Sequence, residues 1–152
     1  MTSFASLSLP PTTLANLQQL GYLEMTPIQA ASLPTALAGK DLIAQAKTGS
    51  GKTAAFALAL LAKLNPRWFA VQAMVLCPTR ELADQVAVEI RRLARAQDNI
   101  KVITLCGGIA LRGQRASLEN GAHIVVGTPG RIMDHLERGN LTLEGLNTLV
   151  LD

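Results

Sequence analysis

The sequence predicts an α/β fold, a parallel β-sheet flanked by helices, on three observations. Short apolar runs of strand length alternate with longer stretches of helical period along the whole chain. The segments between successive runs are long enough to be crossover helices, as parallel neighbours require. Aromatic residues make up 3% of the chain against 49% hydrophobic residues in all, so the core is built from Ala, Leu, Val and Ile. That mix suits helices packed on a buried sheet. A chain of 152 residues is long enough for one core of ordinary size and short for two.

Turn residues set the boundaries of each element in order. Helices are expected at Pro11–Leu20 and at Thr26–Ala38, where Thr26 is placed as N-cap and Pro27 at the first helical position. Gly39-Lys40-Asp41 turns the chain into a strand, Leu42–Ala46, and a glycine-rich loop leads to a helix from Lys52 to Leu64, closed by Asn65-Pro66. The next strand is Ala73–Cys77. It feeds a long helix, Arg80–Gln97, with Leu82, Val86, Ile90 and Leu93 at spacings of three and four. Strand Val102–Leu105 ends at Gly107-Gly108, a helix covers Leu111–Glu119, and a strand covers His123–Val126. Thr128-Pro129 opens a helix that reaches Glu137, and Leu146–Leu151 reads as a last strand running into Asp152. A parallel sheet that stops on its functional edge without a covering helix is expected to be cut short.

Several function classes are excluded or left unsupported. Lys, Gln, Asn or Gly interrupts every apolar run before the roughly 18–20 residues of a membrane span. Met1-Thr2-Ser3-Phe4 lacks the basic and apolar regions of a secretory signal, so a cytoplasmic protein with no membrane partner is expected. Cys77 and Cys106 are far apart with no Cys-x-x-Cys pair, and His123 and His135 add no ligand cluster, so no zinc site is expected and the thiols read as buried and free. The net charge of +3 is compatible with a nucleic-acid partner without requiring one, because basic and acidic residues are interspersed.

Ala46-Lys47-Thr48-Gly49-Ser50-Gly51-Lys52-Thr53 lies between an expected strand and an expected helix. It matches the phosphate-loop pattern except that Ala46 stands at the first glycine position. Gly49 and Gly51 let the backbone curl so that successive N–H groups surround phosphate oxygens, and the helix start adds its positive end. Lys52 would reach the outer phosphates of ATP or ADP, and the Thr53 hydroxyl would ligate Mg²⁺.

The residues around this loop narrow the choice among phosphate-loop proteins. Upstream stand Phe4 and, 17 residues later, Gly21-Tyr22-Leu23-Glu24-Met25-Thr26-Pro27-Ile28-Gln29. Downstream come Pro78-Thr79-Arg80-Glu81-Leu82-Ala83, then Gly107-Gly108, then Thr128-Pro129-Gly130-Arg131, each just past the end of a strand, and finally Leu149-Val150-Leu151-Asp152. In that order these segments resemble the Q motif, motif Ia, the GG element, motif Ib and the entry to motif II of DEAD-box RNA helicases. The resemblance covers essentially the whole chain as the first RecA-like domain of such a helicase. It divides the chain into a Q-motif region with leading helices, 1–39, and an ATP-binding domain, 40–152, that stops at the start of motif II.

The resemblance implies a set of roles. Gln29 would read the adenine edge, Phe4 would stack on the base, Thr26 would brace the loop, and Tyr22 belongs to the same nucleotide-binding segment. Asp152 would contact Mg²⁺, usually through water, and join Lys52 and Thr53 in the nucleotide chemistry. Pro78, Thr79, Arg80, Gly107, Gly108, Thr128, Pro129, Gly130 and Arg131 would bind RNA through its backbone, chemistry to which hydroxyls, helix N-termini and guanidinium groups are suited. The glutamate after Asp152, the second RecA-like domain and its arginine fingers would lie outside this sequence, leaving the isolated chain weak in nucleotide binding and nearly inactive. Leu76–Val86, Arg91–Arg95 and Leu105–Gly108 most resemble a bacterial branch of the family that acts on large-subunit ribosomal RNA during ribosome assembly. Two other readings stay open: a DNA helicase of a related phosphate-loop family, and a binding module for RNA or a partner without catalysis.

Overall fold

The fold is that of a computed structural model, which describes residues 2–152. The chain packs as two compact units, residues 1–63 with 92–98, and residues 64–91 with 99–152.

The first unit is helical. Helices α1 (Pro11–Gln19), α2 (Pro27–Leu37) and α3 (Lys52–Ala62) follow a short 3₁₀ turn at Phe4–Leu7. Proline at the first turn fixes the start of α1 and of α2, where the missing N–H costs no hydrogen bond. α3 is nearly all alanine and leucine, and its Ala54, Ala55, Ala57, Leu58, Leu60 and Leu61 are buried. Small side chains allow close approach, and α2 packs against α3. Asn16 of α1 donates to the backbone oxygens of Arg92 and Leu93 at 3.1 and 3.2 Å, satisfying carbonyls near a helix C-terminus.

The second unit carries a four-stranded parallel sheet in the order β2-β3-β1-β4. The strands are β1 (Ala73–Leu76), β2 (Val102–Leu105), β3 (Ile124–Gly127) and β4 (Thr148–Leu151), with helices α4 (Arg80–Ala94), α5 (Leu111–Glu119) and α6 (Pro129–Glu137) in the crossovers. β1 and β3 are central and almost wholly buried, so they read as continuous apolar runs. β4 is an edge strand on which half-buried and exposed residues alternate. Met74, Leu105, Val125, Ile132 and Leu141 form the core, with Leu118, Leu136 and Leu146 packed against it. Gln72 is buried and fully bonded, its amide accepting from Asn65 N at 2.8 Å and donating to Asn65 O and Trp68 O at 3.0 and 2.8 Å.

The element order agrees with the sequence reading, with boundaries within a few residues, save for one strand. Leu42–Ala46 forms no strand among the described residues, and Ile43 is 98% exposed. Its apolar pattern is right for a buried strand, but a strand exists only where a ladder partner accepts and donates. The segment has no such partner in the sheet.

Register fixes what the sheet does for function. Leu76 is level with Gly127 and with Leu151, and Gly127 is level with Leu105, so all four strands end on one line. Cys77–Arg80, Cys106–Gly108, Thr128–Arg131 and Asp152 therefore leave the sheet along one edge, the carboxyl edge where ligand sites of open parallel sheets gather.

Candidate functional site

The phosphate loop belongs to the first unit. Gly49 and Gly51 have φ of 81° and 88°, a left-handed conformation that L side chains rarely adopt. A turn from Ser50 N to Lys47 O, 3.2 Å, curls the loop over the start of α3. Gly51 is the N-cap of α3, no side chain caps that end, and no acidic residue stands in the first turn. This helix start therefore carries no cap from its N-cap residue, and its N–H groups and dipole suit an anion. A Cβ at Gly49 would meet nothing within 4 Å. Lys52 and Thr53 are the first two residues of the helix. These features fit a nucleotide phosphate chain, and the Thr53 hydroxyl is a hard-oxygen donor of the kind Mg²⁺ takes.

The Q-motif segment lies directly under the loop. Gln29, 1% exposed, donates from Nε2 to Gly51 O at 3.0 Å and accepts at Oε1 from Thr26 N at 2.9 Å. The Thr26 hydroxyl faces the Gln29 backbone in the outline of a capping box, but its buried Oγ1 does not reach hydrogen-bond geometry. The fit to Gly51 is tight: a Cβ there would lie 2.5 Å from Gln29 Nε2 and 3.0 Å from Thr26 Oγ1.

Two residues expected at adenine, Gln29 and Phe4, are engaged within the first unit. The Gln29 amide is already engaged with the phosphate loop and its own helix start. Phe4, expected to stack on a base, is 3% exposed and meets Tyr22 edge-on, with ring centroids 6.4 Å apart. An aromatic flanked by apolar neighbours gains more from burial than from offering a face to water. To stack on a base, Phe4 must leave this packing.

The second unit brings the remaining segments to the carboxyl edge of the sheet. Thr79 caps α4, its Oγ1 accepting from Leu82 N at 3.2 Å, and Pro78 precedes it. Arg80 is half-exposed, with Asp84 at 4.0 Å one turn on, and its Nη1 lies 3.7 Å from where a Gly108 Cβ would be. Gly108 has φ of 82°, and Gly107 and Gly130 each have open space where a side chain would project. Thr128 is the N-cap of α6 but makes no cap hydrogen bond, and Pro129 takes the first turn. Hence this end of α6, like that of α3, carries no cap from its N-cap residue.

Arg131 is the exception among these outward-facing groups. Its side chain is only 15% exposed, donating to Ile109 O at 2.6 Å and Gln114 Oε1 at 3.1 Å, with Asp134 at 3.6 Å. Asp152 follows β4, and its N–H donates to Leu76 O at 2.9 Å. Burial, the nearby Asp152 carboxylate and Cys106 push the Cys77 thiol up to about 11, which keeps it neutral. Both thiols are buried, as expected.

Sequence reasoning gave no role to Gln114 and His135, which are buried and bonded to each other, Gln114 also accepting from Arg131. A signal was present: Gln114 sits three residues after Leu111 and four before Leu118, and His135 three after Ile132, positions on the apolar faces of their helices.

Known proteins resemble the chain over its full length. A family model described as DEAD/DEAH box helicase matches residues 26–152. The chain is 61% identical over its whole length to a protein of Escherichia coli named ATP-dependent RNA helicase DbpA, of which it covers 34%. A crystal structure of a DEAD box protein from the hyperthermophile Methanococcus jannaschii superposes with a TM-score of 0.94 at 41% identity, over 100% of this chain and 41% of that one. Saccharomyces cerevisiae Dbp5 L327V bound to RNA and ADP BeF3 superposes at 0.84 and 28% identity, over 100% of this chain and 38% of that one. The chain spans about a third of the length of the curated relatives it matches.

Proposed function

The chain belongs to the DEAD/DEAH box helicase family, and from that premise we propose that it is the nucleotide-binding part of an ATP-dependent RNA helicase. The observation that carries the reading is the uncapped start of α3 beneath two left-handed glycines, a cradle built for phosphate. In this reading Ala46–Thr53 holds the β- and γ-phosphates, with Lys52 on the outer oxygens. Thr53 would offer Mg²⁺ a hydroxyl oxygen, Asp152 is proposed as a carboxylate for the same ion, and the ion would supply charge neutralisation on the phosphates when bound. Gln29 reads adenine while still bonded to Gly51, using its second amide hydrogen and the second lone pair of its oxygen. Thr26 braces the loop, and Tyr22 and Phe4 line the base side once Phe4 is released from its packing.

The carboxyl edge of the sheet is the RNA side. Pro78, Thr79 and Arg80, Gly107 and Gly108, and Thr128, Pro129 and Gly130 offer backbone N–H groups, hydroxyls and a guanidinium to phosphates and sugars. Arg131 adds charge behind them. Contacts of this kind fix the backbone and read no sequence, so binding is sequence-tolerant and salt-sensitive. ATP and RNA together close a second RecA-like domain, beyond these residues, over the strand, and hydrolysis releases it after local unwinding. In this reading the target is ribosomal RNA in large-subunit assembly and the site of action is the cytoplasm, a proposal that rests on the resemblance of Leu76–Val86, Arg91–Arg95 and Leu105–Gly108 to that bacterial branch of the family. No helix among the described residues is long and apolar enough to cross a membrane.

A competition titration with labelled ADP and unlabelled GDP, in Mg²⁺, tests the nucleotide half of this reading. ADP should bind more tightly than GDP, and Gln29→Ala should erase the preference. Equal affinity in the wild type would leave a phosphate loop without base recognition and withdraw the adenine roles of Gln29 and Phe4.

A further inference from the structure

Between α5 and α6 lies a buried polar chain in the second unit that the proposed function does not use. His135 is fully buried and Gln114 nearly so. Asn140 Nδ2 lies 3.1 Å from His135 Nδ1, His135 Nε2 lies 2.8 Å from Gln114 Oε1, and Gln114 Nε2 donates to Cys106 O at 3.0 Å. Arg131 Nη1 donates to the same Gln114 oxygen at 3.1 Å and to Ile109 O at 2.6 Å.

Only one assignment of hydrogens satisfies every member. The Asn140 amide donates, so Nδ1 of His135 accepts and Nε2 carries the proton. Gln114 Oε1 then receives two donors, His135 and Arg131, which turns its NH₂ group toward Cys106 O. Burial first, and the Arg131 guanidinium second, hold the ring below its ordinary pKa and so in this neutral form. Rearranging these buried contacts would leave Gln114 Oε1 or Cys106 O without its partner, which favours this one arrangement.

What the chain grips is the backbone on either side of Gly107-Gly108: Cys106 O through Gln114 and Ile109 O through Arg131. Gly108 needs its positive φ, and a Cβ on Gly107 would meet nothing, so the loop's own side chains do not anchor it. We infer that Gln114 and His135 are positioning residues of the nucleic-acid surface, locking Arg131 and the Gly107–Ala110 loop into one geometry. Arg131 thereby acts on RNA mainly through the loop it ties down and through its field. The inference deepens the RNA reading and rests on it.

The test uses the full-length protein with a single-stranded RNA oligonucleotide, titrated beside ADP. His135→Leu keeps volume and removes the donor, whereas His135→Gln keeps a donor within reach of Gln114. His135→Leu should weaken RNA binding at least about fivefold, the size expected from one lost buried hydrogen bond. ADP affinity should hold, and His135→Gln should recover most of the RNA loss. Amide exchange at Gly107, Gly108 and Ile109, measured without RNA, should rise by a similar factor in His135→Leu alone. Should His135→Leu not fold, Asn140→Ala, at the half-buried end of the chain, makes the same comparison with the same expected directions. RNA affinity equal to that of a wild type that binds RNA overturns this inference alone, as does a parallel fall in ADP affinity. A wild type that binds no RNA overturns the proposed function together with it.

Discussion

Replacing Gly51 with alanine probes the contact on which the nucleotide site turns. Two costs add. Gly51 has φ of 88°, and placing an L residue there costs about 1–2 kcal/mol. The new Cβ would also fall 2.5 Å from Gln29 Nε2 and 3.0 Å from Thr26 Oγ1. Gln29 must then withdraw, losing its bond to Gly51 O and straining a buried site, a further ~2–3 kcal/mol. The total is about 3–5 kcal/mol. Gly49→Ala is the control, because Gly49 shares the positive φ, at 81°, but has open space at its Cβ position. It should cost only the backbone share, about 1–2 kcal/mol. The assay is denaturant unfolding of the two variants, repeated with Gln29→Ala in each. Removing the Gln29 amide should bring Gly51→Ala close to Gly49→Ala while leaving Gly49→Ala unchanged, a coupling confined to one glycine. Equal losses for the two glycines, or no change on removing Gln29, would refute the packing of the Q-motif glutamine against the loop.

Gln72→Leu leaves Asn65 N, Asn65 O and Trp68 O without their side-chain partner, and thermal unfolding should register a loss of about 1–3 kcal/mol. His135 is held below its ordinary pKa by burial and by Arg131. The folded state therefore binds fewer protons than the unfolded state as pH falls below the ordinary histidine range, and its stability drops there. The drop should flatten in His135→Gln when unfolding is followed against pH. Cys77, pushed up to about 11 by burial and Asp152, should resist iodoacetamide at pH 8 until the protein is unfolded. Its contribution to stability holds below the ordinary thiol pKa and is lost as pH climbs through about 11. Arg80→Ala should lower RNA affinity and flatten its dependence on salt by about one released counterion, read from titrations at several salt concentrations.

The helices and four of the five strands were legible because period and punctuation are local properties of sequence. Pro11, Pro27 and Pro129 mark helix starts, and α4 shows its buried face at three- and four-residue spacing. The phosphate loop was legible for the same reason, since glycine spacing dictates backbone curl. Leu42–Ala46 was misread because apolar pattern reports a wish for burial, while strand formation needs a partner that pattern does not name. Phe4, expected to stack on a base, is buried with its ring edge-on to Tyr22, packing that spacing alone cannot supply. Gln29 carries a contact to Gly51 that spans 22 positions in sequence. Gln114 and His135 were given no role because polar residues are read as surface unless their place on an apolar helix face is weighed.

In the proposed function, this chain binds ATP as part of an RNA-driven motor. ATP turnover by the full-length protein, measured with and without single-stranded RNA and compared with Lys52→Ala, tests it most directly. Turnover should be low alone, rise severalfold or more with RNA, and vanish in Lys52→Ala under both conditions. Turnover that RNA does not raise, or that survives the loss of Lys52, would contradict the account.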